Sequence, residues 1–129
     1  MNNVEKMSKV GETVYGSNWQ SPLSRALGIN DRTIRRYAAG TSNIGSEFSD
    51  RLLAAMEHEM SKLKTAIEII ESDKMNGDDI SLGTVISIVD SYKYLDRATR
   101  EHAIDAVNNA IYPETYLSDL HSVAQKFSI

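Results

Sequence analysis

Residues 23–40 read LSRALGINDRTIRRYAAG, and the pattern of this stretch decides how the start of the chain folds. Two short runs meet at Gly28. Leu23 and Leu27 lie one helical turn apart in the first run, and Ile34 and Tyr37 in the second. A residue without Cβ enters the left-handed backbone region freely, so Gly28 suits a tight turn between two helices. Ile29 plugs the corner, and Ser24 is small where the helices approach most closely. Upstream, Ser21 is expected to cap the first helix with Pro22 at its first helical position, where the missing N–H costs nothing. Asn30 caps the second helix, which should stop at Gly40.

Working outward, the chain reads as all-α. A helix over Asn3–Tyr15 would carry Val4, Met7, Val10 or Gly11, and Val14 on one stripe. After the loop GTSNIGSE, with Ser46 as cap, a long helix is expected from about Glu47 to Ser72. Its Met56, Met60, Leu63, Ile67 and Ile70 are spaced 4, 3, 4 and 3, the seam spacing of a coiled coil. That spacing fits a dimer seam, and it equally fits a bundle helix packed within its own chain. SDKMNGDD breaks the helix, and Asn76-Gly77 reads as a helix stop rather than a hairpin turn. Helices then follow at Ser81–Tyr94, Ala98–Ile111 and Glu114–Phe127. Leu82, Val85, Ile86, Val89 and Tyr92 line the first of these. Ile104, Val107 and Ile111 line the second, and Leu117, Leu120, Val123 and Phe127 the third. The expected organisation is a helix-turn-helix lobe over 1–46 and a helical dimerisation or partner lobe over 47–129, a long helix followed by a C-terminal bundle.

Composition narrows the chemistry. The 129 residues include no cysteine, which excludes disulfides, thiolate metal sites and cysteine nucleophiles together and fits a cytoplasmic setting. No apolar run is long enough for a signal-peptide core or a membrane span. His58, His102 and His121 lack the paired spacing of a helical metal site, and the alternating oxygen ligands of a calcium loop are missing from DKMNGDD. No phosphate-cradling glycine loop or nucleophile elbow is present, so neither an enzyme, a cofactor nor a metal is expected. The net charge of -4 hides a polarity: residues 1–46 carry six basic against three acidic side chains, and the rest carries eight against fifteen. A basic first lobe suits a polyanion, and an acidic second lobe suits a protein partner.

In a helix-turn-helix, the second helix is offered to the major groove of DNA. Residues 20–40, QSPLSRALGINDRTIRRYAAG, resemble the lambda-repressor and Cro-type helix-turn-helix of phage and bacterial regulators, with Gln20 opening the first helix and Gly40 following the second. The resemblance covers about the first 50 residues and implies binding of double-stranded DNA. With Ile34 and Tyr37 buried, helical periodicity turns Arg32, Arg35 and Arg36 outward with Thr33 beside them. Arg32 and Arg36, four apart, are the candidates for guanine readout through the bidentate guanidinium fork. Arg35, Gln20, Arg25 and Thr33 are candidates for phosphate. Asn30 and Asp31 complete the set at the helix start. Asp31 can accept from a cytosine amine, or it can simply favour the positive end of the helix dipole. Lys6 and Lys9 either reach the DNA backbone or are solvated, and Trp19 is expected to pack between the first two helices.

One helix-turn-helix reads too few base pairs to find a genomic site, so a homodimeric transcriptional regulator, a repressor in type, is expected. Phage terminase small subunits also join a helix-turn-helix to a helical oligomerisation region, which makes a ring-forming packaging adaptor the alternative. A helical protein-interaction module without DNA binding is the third possibility.

Overall fold

Local capping governs the first elements. In the computed structural model, which describes residues Met1–Ile129, α1 (Asn3–Tyr15) starts where the Asn2 side chain accepts the Glu5 N–H at 2.9 Å. The next helix, α2 (Gln20–Leu27), ends at Gly28, whose φ of 66° is left-handed. Asn30 Oδ1 then accepts the Arg32 N–H at 2.8 Å and opens α3 (Asp31–Ala39). The long helix α4 covers Phe48–Glu71. Two expected caps are absent. Helix α2 begins one residue before Ser21, whose hydroxyl donates to Asp31 instead, and Ser46 sits in a turn before Phe48.

The chain divides into two compact units, Met1–Ala66 and Ile67–Ile129, so the division falls after Ala66 and not after Ser46. The physical reason is the start of α4. Phe48 and Leu52 are buried with Met7, Trp19, Leu23 and Ile34 in the core of the first unit. Tyr37 meets the Phe48 ring edge-on, with centroids 6.1 Å apart. Leu27, Ile29 and Tyr37 pack against this core from its margins. The buried face of α1 runs through Met7 and Gly11, and Val14 is left exposed.

Within the second unit, the end of α4 is followed by β1 (Lys74–Asn76), a 3-10 turn, α5 (Leu82–Val89), α6 (Arg97–Asn109), β2 (Glu114–Tyr116) and α7 (Leu117–Gln125). The strands pair antiparallel, Lys74 opposite Tyr116 and Met75 opposite Thr115. The seven helices make the fold all-α in class, and the small sheet is an addition that the sequence reading lacked. It shortens the expected last helix, because residues 114–116 are strand and α7 begins only at Leu117. Asp73 supplies what that start needs: its carbonyl accepts the Leu117 N–H and its carboxylate the Ser118 N–H. Hydrogen bonds from Ser118 hold the Asp73 carboxyl below the usual carboxylate range. Helix α5 stops at Val89, five residues before the expected Tyr94, and the Tyr94 hydroxyl donates to the Val89 carbonyl at 2.7 Å. Val85, Ile88, Val89, Ala103, Val107, Leu120 and Ala124 form the core here, while Leu82, expected on the buried stripe, is exposed.

Gly11 carries a tight constraint in the first unit. Trp19 is 5% exposed and lies so close that a Cβ at position 11 would collide with its indole ring. In Gly11→Ala the gain in helix propensity, about 1 kcal/mol, opposes an overpacking cost of about 1–3 kcal/mol. The collision wins, since a bulky ring held between two helices has little room to retreat. Thermal denaturation should therefore show a lower midpoint for Gly11→Ala; a midpoint at or above wild type would mean that the ring moves freely.

Candidate nucleic-acid interface

Burial of Ile34, 0% exposed, sets the rotation of α3 about its own axis. Successive residues on a helix differ by about 100°, so the positions flanking Ile34 turn outward. Arg32, Arg35 and Arg36 are exposed, and Thr33 is half-buried beside them. Arg25 on α2 is exposed as well, and Gln20 is half-buried at the first position of α2. Every cation of the expected set therefore reaches the surface of the first unit.

Their partners differ. Arg25, Arg32 and Arg36 make no ion pair, whereas Arg35 Nη2 lies 3.1 Å from Asp31 Oδ2. The Arg35 side chain is 62% exposed, so the pair is worth no more than about 1 kcal/mol and can be exchanged for a phosphate. The same Asp31 oxygen accepts the Ser21 hydroxyl at 3.1 Å, joining the start of α2 to the start of α3. The other oxygen, Oδ1, is enclosed and has no hydrogen-bond donor. Asp31 thus has an intramolecular role as a fastener between the two helices, beyond either reading the sequence offered. Ser21 is the residue that sequence reasoning missed, because its hydroxyl looked like a cap and its partner is ten positions away.

Other candidates are occupied locally. Asn30 spends its side-chain oxygen on the cap of α3, which leaves its amide nitrogen for a ligand. Lys6 Nζ donates to Ser49 Oγ at 3.0 Å, tying α1 to α4, while Lys9 is exposed. Ser24 is buried at the close approach of the two short helices, its hydroxyl bonded to the Ser21 carbonyl.

On α4 one of the five expected seam residues, Met56, packs at the margin of the first unit's core, and the other four are not covered by the rest of the chain. Met56 is half-buried, and Met60, Leu63, Ile67 and Ile70 are all exposed. No helix is long and apolar enough to cross a membrane. No protein-family model, curated protein or solved structure matches the chain.

Asp31→Asn separates the two readings of this carboxylate. Removing one negative charge beside the arginines while keeping an acceptor for Ser21 should raise affinity for any duplex, by about threefold to tenfold at low salt. Titration of labelled DNA checks it. A selective loss of binding to one sequence would instead mean that Asp31 accepts from a base.

Proposed function

We propose that the chain is a sequence-specific double-stranded DNA-binding protein, a dimeric transcriptional regulator of repressor type, whose α3 enters the major groove. The observation that carries this reading is the pairing of a buried Ile34 with the unpaired, outward Arg32 and Arg36. Desolvating an arginine without a partner is costly, and a guanine edge offers two acceptors that match its fork. Arg32 and Arg36 read bases. Arg35, released from Asp31, takes a phosphate together with Arg25, Gln20 and Thr33, and the free amide of Asn30 adds a contact at the helix start. The exposed basic surface draws the duplex in from a distance, and the acidic residues beyond it discourage sliding contact elsewhere on the protein.

The two classes of arginine should behave differently in binding titrations. Arg36→Ala should lose about 1–3 kcal/mol on the preferred site and relax one base preference. Arg35→Ala should weaken all duplexes alike and make the dependence of log affinity on log salt shallower by about one. If both variants bind every duplex as wild type does, α3 is not the reading element.

A further inference from the structure

The stripe that α4 leaves uncovered is complementary to itself. Leu53, Met60 and Ile67 recur every seven residues, as do Met56, Leu63 and Ile70. Leu53 is 59% exposed, Met60 65%, Leu63 64%, Ile67 54% and Ile70 63%, while Met56 is half-buried at the margin of the first unit's core. Leu53, Met60 and Ile67 are the a positions of a heptad and Met56, Leu63 and Ile70 its d positions, and in an antiparallel helix pair each a residue faces a d residue of the other helix. With a two-fold axis between Ser61 and Lys62, Leu53 faces the second copy's Ile70, Met56 its Ile67, and Met60 its Leu63. Every layer is apolar on both sides, and Leu53, which the spacing of the seam alone had not included, completes the outermost one.

We infer that this face is occupied by a second copy of the chain, with the two α4 helices antiparallel. Charges beside the stripe fit that occupant. Glu57 and Lys64 hold the flanking e positions, and the antiparallel pairing brings Glu57 within two residues of the second copy's Lys64, twice by symmetry. The like-charged Asp50 and Glu71 approach only at the outer ends, where screening by salt is strongest.

Spacing favours antiparallel over parallel, and this step alone rests on the DNA-binding reading. Phe48 and Leu52 anchor α4 in the helix-turn-helix core, centred about eleven residues from the two-fold axis; at 1.5 Å per residue two such anchors lie about 35 Å apart along the helix. Successive half-sites on one face of a duplex are about 34 Å apart. A parallel pair would hold both reading heads at one level.

The chain has no cysteine, so introduced thiols are the only ones present. Leu53→Cys protein mixed with Ile70→Cys protein should form a disulfide-linked dimer on mild oxidation. Either variant alone should not, since its two thiols would lie about 25 Å apart. Lys64→Glu should weaken the wild-type dimer on the order of tenfold in sedimentation, and adding Glu57→Lys should restore it. No DNA enters these measurements, so their failure is distinct from failure of the DNA reading. A wild-type chain that sediments as a monomer at micromolar concentration, a larger ring, or Leu53→Cys protein that links to itself would each overturn the antiparallel dimer.

Discussion

A single buried side chain, Ile34, determines which way the arginines of α3 face. A short helix of nine residues has no stable rotation of its own; the orientation comes from what its apolar side is pressed into. Here that is the cluster of Met7, Trp19, Leu23, Phe48 and Leu52, to which three other helices contribute. Once Ile34 is seated, Arg32, Arg35 and Arg36 have no inward alternative. Gly28 makes the seating possible, because its left-handed backbone turns the chain between α2 and α3 without strain.

Electrostatics refine that arrangement. The bond from Ser21 to Asp31 braces the two helices at their starting ends, and the Asp31 carboxylate holds Arg35 in check while leaving Arg32 and Arg36 free. The positive surface is therefore graded: two cations without partners, one loosely paired and one more on α2. Such grading suits the DNA binding we propose, weak in general and tight at one site, since phosphate contacts alone carry no sequence information.

What was legible in the sequence was local. Asn30 and Gly28 act on backbone groups within a few residues, and α3 ran where expected. The outward arginines followed from the helical period once Ile34 was taken as buried. What escaped came from partners far along the chain. Strand β1 exists because residues 114–116 pair with it, α7 is capped by Asp73, and the last carbonyl of α5 accepts the Tyr94 hydroxyl. The fit of Trp19 over Gly11 and the Ser21–Asp31 bond are likewise invisible to periodicity. Short strands of three residues leave too little alternation to be read at all.

Selection of bound duplexes from a random-sequence pool, with the Arg32→Ala/Arg36→Ala protein as control, decides whether α3 reads DNA. Groove reading by α3 in a dimer enriches a palindrome whose half-sites lie about one helical turn apart, lost in the double variant. An unenriched pool, or the same enrichment with both arginines removed, would contradict it.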